Sequence, residues 1–534
     1  MRDFIRTKKT ALIALGCAFL LINGLVFVYY QHAVNKIGGE YIYPLDDTYI
    51  HLSIAKNFAF YNNWGVGHDE FTSSSSSPLY TFIISVLMRL FGDNAIYPLL
   101  INIFFGNLII IALYTFIKNK LLFFASIIFC VTPVLLHIQI LSGMEHTMHI
   151  FMILTAFMLF SKFADSGFSD KKYGIPFLSV CALLCMSRYE SMFFLTPVLV
   201  ILLLNKRYLF ALQTFAVGFL PILLFGLWSM SNGGFFFPNS LLVKGDINVN
   251  GVISGILHYK HKLYIITKEP IFITTIVMIL IVVIQDFILN KIYDFQSFFN
   301  LIKKHAFVFI TLTTIFLHTL FANFGWLFRY EAYLLALLYL TLILVVNKNI
   351  DIIRNFKVVL SLIFILMCVP NLVERLYVSH ITISQASKNI HDQQIQMSRF
   401  LKTFYNESMV MANDIGAITY YSDIKLKDLV GLGSNDIVAL RRGGLKREDF
   451  FSRYKQYSVI IIYNSWFGIK SMADSESLGL IPIGELWIEN NVVCGSNPVS
   501  FYTSDSTMVE KFRDNMIKFS EIVPEDVRIV ISDR

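Results

Sequence analysis

Charged side chains are scarce in this chain. Lys, Arg, Asp and Glu make up 15% of its 534 residues, whereas hydrophobic residues make up 55% and the mean hydropathy is +0.61. A soluble globular domain has about 25% charged residues. The composition therefore excludes an ordinary soluble globule and predicts a polytopic membrane protein.

Cysteine pairs and nucleotide-binding motifs are missing as well. Of the six cysteines, only Cys494 lies in a polar segment, and no C-x-x-C pair occurs, so neither a disulfide framework nor a thiolate metal site is expected. No glycine-rich phosphate-binding motif accompanies the predicted strands. The net charge of +7 is accounted for by Lys and Arg in loops, and no nucleic-acid-binding motif is present. We therefore expect no nucleic acid partner and no redox chemistry.

Long apolar runs fill the first two thirds of the sequence. The first, from Thr10 to Tyr30, follows a basic start and exceeds the roughly 7 to 15 apolar residues of a signal peptide, which predicts an uncleaved helix with its basic end in the cytoplasm. A run of about 20 residues can cross a bilayer. Further runs begin near Ala95, Lys120, Thr147, Gly174, Ser191, Leu209, Ile271, Ala306, Ala332 and Val358.

The topology depends on the segment from Pro78 to Phe91. If this segment does not cross, the basic loops share the cytoplasmic side with the N-terminus, as the positive-inside rule favours. The segment is therefore predicted to be an interfacial or re-entrant helix. We expect about 11 transmembrane helices, a cytoplasmic N-terminus and a C-terminus outside the cytoplasm.

The composition becomes polar from about Ser379. Two apolar, β-branched runs, 410–412 and 459–463, predict buried strands, and 447–456 predicts a helix. The expected organisation is a transmembrane module over residues 1–378, with a first outer loop at 31–94, followed by a soluble periplasmic α/β domain at 379–534.

Asp46 and Asp47 lie just after the first hydrophobic span. They precede an apolar stripe on a helix predicted to lie along the membrane: Tyr49, Ile50, Ile54 and Phe58. Asp is common at helix N-termini, so the pair could be a cap. It could equally be catalytic. Two points favour a catalytic role: the pair is on the outer side of the membrane, and a cap needs only one Asp.

Other polar residues reach the same side of the membrane. Arg188 and Glu190 lie between two short spans, and ionisable groups at that depth are costly and usually functional. Arg188 could clamp a phosphate, pair with Glu190 or extend to the interface. Lys244 could be a second phosphate ligand or a solvated loop residue. Glu145 begins an E-H-x-x-H pattern, which is not an established zinc spacing and reads better as a polar helix end.

Six short motifs occur in the order found in bacterial GT-C-fold glycosyltransferases, and the chain resembles the arabinofuranosyltransferase and aminoarabinose-transferase branch of that family. The motifs are Asp46-Asp47-Thr48-Tyr49-Ile50, Ala55-Lys56-Asn57, Ser77-Pro78-Leu79-Tyr80, Ser142-Gly143-Met144-Glu145, Arg188-Tyr189-Glu190 and Pro238-Asn239-Ser240. The run from Ala412 to Tyr421 also resembles the periplasmic domain of these proteins.

This resemblance implies a GT-C-like fold and a reaction at the periplasmic face of a bacterial inner membrane. A sugar would pass from a polyprenyl-phosphate donor to an envelope glycan, glycolipid or protein, with inversion and with Asp46 as general base beside Asp47. The residues expected to bind substrate are Glu145, Arg188, Glu190, Asn239, Lys244 and Arg329. Some branches of the family use a divalent cation, which Asp46, Asp47 and Glu145 could hold; others use none.

The sequence also departs from the family pattern and leaves alternatives open. Many relatives have Arg-Pro-Glu where this chain has Arg188-Tyr189-Glu190, and the serine run 73–77 lengthens the preceding loop. A ligase or polymerase that uses a lipid-linked glycan would share the motifs. A non-catalytic envelope scaffold would keep the fold without needing Asp46. A secondary transporter should show inverted repeats, which we do not find.

Overall fold

The computed structural model describes residues 2–244, 295–348, 372–446 and 449–532, a few positions between 272 and 284, and position 369. The part before residue 405 is helical. Its helices are α1 Arg2–Ile37, α2 Asp46–Tyr61, α3 Pro78–Phe91, α4 Tyr97–Phe116, α5 Lys120–Val131, α6 Leu136–Leu141, α7 His146–Asp165, α8 Lys171–Ser187, α9 Ser191–Leu204, α10 Tyr208–Ser231, α11 Asn239–Lys244, α12 Phe295–Lys304, α13 Ala306–Phe321, α14 Ala332–Lys348, α15 372–390 and, after a π-helical turn at His391–Ile395, α16 Gln396–Phe404.

Within the described ranges, four helices are long and apolar enough to cross a membrane. They are α4, α7, α10 and the Leu12–Ile37 part of α1; α12 and α13, bent by 90° at their junction, make a fifth if they form one span. The expected count of about 11 is thus supported only in part. At four other predicted positions, α5, α8, α9 and α14 have 12 to 17 residues, and the runs near Ile271 and Val358 fall largely outside the described residues.

Helix α3 has the bounds that the sequence predicted. The Ser77 side chain accepts a hydrogen bond from the Tyr80 amide, Pro78 occupies the first turn and Gly92 follows the last residue. These are ordinary start and stop signals of a helix. With 14 residues, α3 is short for a bilayer crossing.

Helix α2 does not present a free apolar stripe, which corrects the expectation that it lies along the membrane. Tyr49, Ile50 and Ile54 are buried, and so is Thr48 on the opposite face of the helix. The helix packs between α3 and a helix of the C-terminal region. It is therefore an internal element.

The C-terminal region contains a six-stranded sheet with helices around it. Its elements are β1 Met409–Ala412, α17 Gly416–Tyr421, β2 Lys425–Asp428, α18 Asn435–Arg442, α19 Asp449–Arg453, β3 Val459–Ile462, α20 Met472–Ser477, β4 Ile481–Trp487, β5 Pro498–Thr503, α21 Val509–Ser520 and β6 Arg528–Ile531. The strand order is β2-β1-β3-β5-β4-β6, with β1 parallel to β2 and β3 and the other pairs antiparallel.

The two predicted strands are confirmed as β1 and β3. The helix predicted over 447–456 is shorter, since α19 covers five residues and residues 447–448 lie outside the described ranges. Alternate residues of β3 face opposite sides of the sheet: Val459 and Ile461 belong to one core, Ile460 and Ile462 to another. The first core also includes Ile50 and Ile54 of α2, so α2 and the sheet share one apolar interior.

Candidate active site

Asp46 and Asp47 occupy the first turn of α2, where Leu45 is the cap residue and makes no side-chain cap bond. Adjacent residues of a helix point about 100° apart, so the two carboxylates reach different surroundings. Asp46 is buried, with 8% of its surface exposed. Asp47 keeps 23% of its side chain exposed.

Asp46 binds the start of another helix. Its carboxylate accepts hydrogen bonds from the backbone N–H groups of Gly416 at 2.6 Å and Ala417 at 2.8 Å. These are the first two residues of α17, whose N–H groups have no partner within the helix. Asp46 thus caps α17 rather than α2, and joins the first loop to the C-terminal region.

A second carboxyl group faces Asp46. Asp414 is hydrogen bonded to it and also accepts from Gln394 Nε2 at 2.7 Å and from the Tyr463 hydroxyl at 3.1 Å. Burial raises the pKa of Asp46 well above its usual range, and the nearby charge of Asp414 raises it further. Burial likewise raises the pKa of Asp414. Two such groups hold a shared proton more readily than two charges.

Asp47 is paired with Arg329. The Arg329 Nη2 group donates to Asp47 Oδ2 at 2.6 Å and to the Tyr330 hydroxyl at 3.0 Å, and its guanidinium lies 4.9 Å from the centre of the Tyr330 ring. Arg329 is only 2% exposed. Its Nε and Nη1 groups are buried and have no hydrogen-bond partner among the residues that the structure describes. Native interiors rarely tolerate such an arrangement without a ligand or water.

Arg188 is held by two carboxylates. It donates through Nε and Nη2 to Glu190 and through Nη1 to Glu145, and Nη1 lies 2.9 Å from His146 Nε2. Glu145 also accepts from Ser76 at 3.0 Å. Of the roles considered for Arg188, pairing with Glu190 is the one observed. Its charge is largely neutralised within the protein.

A cavity of about 290 Å³ lies between the helices. We refer to it as the first cavity. Apolar side chains form much of its wall: Met144, Met192, Phe193, Phe237, Leu241 and Phe321. Some buried polar atoms of its lining residues have no hydrogen-bond partner within the described ranges: Arg329 Nε and Nη1, His146 Nδ1, the Tyr189 hydroxyl and the Ser240 hydroxyl. An apolar space with a few unsatisfied polar groups suits an amphiphilic ligand.

A second cavity, of about 420 Å³, lies between the helices and the C-terminal region. The helical part contributes Asp46, Asp47 and Trp326 to its wall, and the C-terminal region contributes Asp414 and Trp466. Four residues line both cavities: Asp47, Asn323, Arg329 and Tyr330. The Asp47–Arg329 pair thus stands where the two spaces meet.

The remaining predicted residues lie elsewhere or beyond the described part. Asn239 is buried and donates to the Leu432 carbonyl at 3.1 Å and to Asn435 Oδ1 at 3.0 Å, so it holds α11 against the C-terminal region. Lys244 ends α11, but its side chain lies outside the described residues.

The structure does not gather the three carboxylates considered as metal ligands. Asp46 binds the α17 backbone and Asp47 binds Arg329, while Glu145 binds Arg188. Among the described residues, no group of three or more His, Cys, Asp or Glu side chains is placed to hold a metal ion. This set does not fit a divalent cation.

The i,i+4 spacing of Asp47 and His51 favours an ordinary helical pair over a role in orienting the carboxylate, but His51 lies with Nε2 at 3.3 Å from Glu145 and Nδ1 at 2.8 Å from Thr81. Two other residues of the site were not singled out from the sequence. Tyr330 and Asp414 also belong to the site. Their only sequence signal is position: Tyr330 is the middle of Arg-Tyr-Glu, the same tripeptide found at 188–190, and Asp414 lies two residues after a buried strand.

Comparison with known proteins adds one match. A family model described as a domain of unknown function (DUF8728) matches residues 388–516. This range contains β1 to β5 and α17, and hence Asp414, but none of α2. No curated protein matches the chain.

Proposed function

We propose that the protein is a membrane glycosyltransferase of the GT-C type that moves a sugar from a polyprenyl-phosphate donor to an envelope acceptor. The observation that carries the proposal is the Asp47–Arg329 pair in the common wall of two cavities. A transfer reaction needs two substrates to meet at one catalytic group. Of the two predicted aspartates, only Asp47 lines both cavities.

The first cavity suits the donor. Its Met, Leu and Phe side chains would pack against the first isoprenyl units. The Nε and Nη1 groups of Arg329, which have no partner in the described part of the chain, would donate to the phosphate. Because Arg188 already binds two carboxylates, Arg329 is the better phosphate ligand of the two. Arg188 would position Glu145 and Glu190.

The proposed reaction uses this arrangement in one step. An acceptor hydroxyl in the second cavity attacks the anomeric carbon, a new C–O bond forms, and the bond from that carbon to the phosphate oxygen breaks. The hydroxyl proton passes to the carboxylate of Asp47, and the polyprenyl phosphate leaves as a stable anion that needs no general acid. Direct attack inverts the anomeric centre, since the carboxylate acts as base and not as nucleophile.

Asp46 takes a different role in this proposal from the one expected from the sequence. Its carboxylate oxygens are engaged by two backbone N–H groups, and its raised pKa favours the protonated form. In its protonated form a carboxyl group cannot accept the proton of the acceptor hydroxyl. Asp46 would fix the first turn of α2 and so position Asp47, while Asp46 as base remains the rival assignment.

The setting of the reaction is also part of the proposal. We place both cavities on the periplasmic side of a bacterial inner membrane, with about 11 crossings. The basic residues of segment 2–9, at the start of α1, would lie in the cytoplasm. So would Lys118 and Lys120, at the junction of α4 and α5.

The test is mass spectrometry of surface glycans, glycolipids and proteins from a deletion strain complemented with wild type, Asp47→Asn, Asp46→Asn or Asp69→Asn at equal expression. Asp69 is an exposed aspartate in the same segment of the chain, residues 31–94, and serves as the matched control. We expect wild type and Asp69→Asn to restore a missing sugar and Asp47→Asn to abolish it.

The other outcomes separate the alternatives. Full activity in Asp47→Asn with none in Asp46→Asn would return the base to Asp46. Transfer of a block of several sugars in one step would indicate a lipid-linked glycan ligase. A deletion strain with an unchanged envelope would overturn the proposed function and favour a scaffold or a transporter.

A further inference from the structure

The second cavity lies at an edge of the C-terminal sheet where two parallel strands end. Asp414 follows β1 by two residues, and Trp466 lies in a short 3-10 helix, Asn464–Phe467, directly after β3. β1 and β3 are neighbouring parallel strands, so their carboxyl ends meet at the same edge. Ligands of α/β sheets commonly bind at such edges.

Two tryptophans in the cavity wall keep much of their surface exposed. Trp466 is 37% exposed and Trp326 is 52% exposed, whereas tryptophan is highly buried on average. Both line the second cavity, one from each side. Large exposed aromatic faces beside a cavity commonly mark a binding surface.

The backbone is arranged to present both rings. Trp326, Leu327 and Phe328 follow Gly325 with positive φ angles of 48°, 57° and 57°, a left-handed conformation that is unfavourable for such side chains and persists at functional sites. Opposite, a Cβ at Gly495 would lie 3.0 Å from Trp466 Cζ2 and 2.6 Å from the Tyr463 ring. The absence of a side chain at 495 therefore leaves room for the indole of Trp466.

The polar part of the wall restricts the chemistry of the ligand. Asp46, Asp47 and Asp414 provide carboxyl groups, and Asn323 provides an amide. Arg329 is the single cation among the described residues of the wall, and it is paired with Asp47. The carboxyl groups would repel an anion, and an unsubstituted hydrocarbon would leave them desolvated without partners. Hydroxyl groups can donate to these oxygens. A ring that carries hydroxyls on its edge and C–H groups on its face matches both features of the wall.

We propose that the second cavity binds a saccharide, stacked on Trp466 and Trp326, as the acceptor whose hydroxyl is presented to Asp47. This inference rests on the proposed transfer reaction and narrows its acceptor to a glycan or the sugar part of a glycolipid. A volume of about 420 Å³ lies in the range of about 300 to 1,000 Å³ that small-ligand sites occupy. The C-terminal region would then supply half of the acceptor site.

The experiment has two readouts. The first is linkage analysis of the product formed in the complemented deletion strain, which shows whether the sugar is attached to a saccharide hydroxyl. The second is the rate of transfer in isolated membranes, which contain their own donor. The acceptor is the under-modified glycan purified from the deletion strain, and its concentration is varied. The variants are Trp466→Ala, Trp466→Phe and, as control, Trp228→Ala, a tryptophan of similar exposure (38%) outside the cavity.

We expect a saccharide linkage and a KM for the glycan raised about tenfold in Trp466→Ala, as for loss of an aromatic anchor. Trp466→Phe, which keeps a flat ring, should retain most of the affinity. The inference is overturned, with the proposed function intact, if the sugar is attached to an amino acid side chain or to a lipid without sugar, or if Trp466→Ala and Trp228→Ala have the same KM. Absence of any transfer by wild type would overturn both.

Discussion

The carboxylate of Asp46 accepts a 2.6 Å hydrogen bond from the backbone N–H of Gly416, 370 residues later in the chain. Ser53 and Lys56 extend this contact, with Ser53 Oγ 2.9 Å from Thr419 Oγ1 and Lys56 Nζ donating to the Tyr420 carbonyl at 3.2 Å. The C-terminal region therefore holds the helix that carries Asp47. We infer that it positions the proposed base.

Replacement of Gly416 by Ala tests this coupling. The new Cβ would lie 2.1 Å from the Asp46 carbonyl oxygen, so α17 must move away from α2. We expect Gly416→Ala to lose most of the transfer activity. We also expect the variant to be cleaved faster by a protease, because the C-terminal region would no longer be held against the helical part. Gly67→Ala is the matched control, because a Cβ at Gly67 has no atom within 4 Å. Equal activity of the two variants would show that the contact does not position Asp47.

Arg329 offers a second test. Arg329→Gln removes the charge that faces Asp47 and the N–H groups proposed to bind the phosphate. Loss of one such preorganised donor typically lowers kcat by about 10²- to 10³-fold, and we expect a loss of that order in the membrane assay. Arg329→Lys should also lose activity, because an ammonium group cannot reproduce the planar fork.

The control for this prediction is Arg89→Gln. Arg89 donates to the Ala59 carbonyl at 2.8 Å at the other end of α2 and lines neither cavity. If Arg329→Gln transferred sugar as well as Arg89→Gln, the phosphate site would have to be sought elsewhere in the first cavity.

The sequence could predict those elements whose signals are local. Helix α3 was correctly bounded because Ser77, Pro78 and Gly92 mark its ends, and β3 was recognised because four consecutive buried β-branched residues form it. Spans such as α4 and α10 follow from length and hydropathy alone. These features depend on neighbours within about 20 residues.

The site could be predicted only in part, because its partners come from distant segments. Thr48 and Asn57 are polar residues of α2, yet both are buried and hydrogen bonded, to the carbonyls of Ser142 at 2.8 Å and Gly65 at 2.9 Å. Hydrophobic periodicity counts such residues as exposed. The different surroundings of Asp46 and Asp47 also depend on where α17 and Arg329 lie, which one sequence does not encode locally.

Replacement of Arg188 should lower the stability of the folded protein. Glu145 is fully buried and pairs with Arg188, so Arg188→Met leaves a buried charge without its partner. Such a loss costs about 3 to 5 kcal/mol. We expect a clear fall in the thermal unfolding midpoint of the purified protein and a partial recovery when Glu145→Gln is added. A double variant no more stable than the single one would mean that the pair is not coupled.

The orientation in the membrane can be tested with two engineered cysteines. Asn119 lies in the predicted cytoplasmic loop, but its side chain caps α5 by accepting from Leu121 and Leu122, so Lys118→Cys is the better probe there. Ser477→Cys reports on the C-terminal region, where Ser477 is exposed. An impermeant maleimide should label Ser477→Cys in spheroplasts and Lys118→Cys only after lysis. Labelling of Lys118→Cys from outside would contradict the proposed topology and indicate the opposite orientation. The wild-type protein, labelled in parallel, measures the background from the native cysteines.

The Asp46–Asp414 pair makes the contact with α17 sensitive to pH. Burial raises the pKa of both groups above their usual range. An acid with a raised pKa in the folded state keeps its proton longer there than in the unfolded chain, so it favours the folded contact at low pH and this contribution is lost as the pH rises. The decline should begin near the ordinary Asp pKa of about 4 and end above the raised values.

Hydrogen exchange of peptides covering α17, corrected for the intrinsic rate at each pH, measures this effect. We expect protection of the Gly416 and Ala417 amides to fall as the pH rises in the wild type. Asp414→Asn removes the facing charge while its amide can still bind Tyr463, so the pKa of Asp46 should fall and the fall in protection should become smaller. The same pH dependence in both proteins would show that the two carboxyl groups do not share a proton and that burial alone raises the pKa of Asp46. Protection that does not fall with pH in the wild type would indicate that Asp46 is ionised and available as the base.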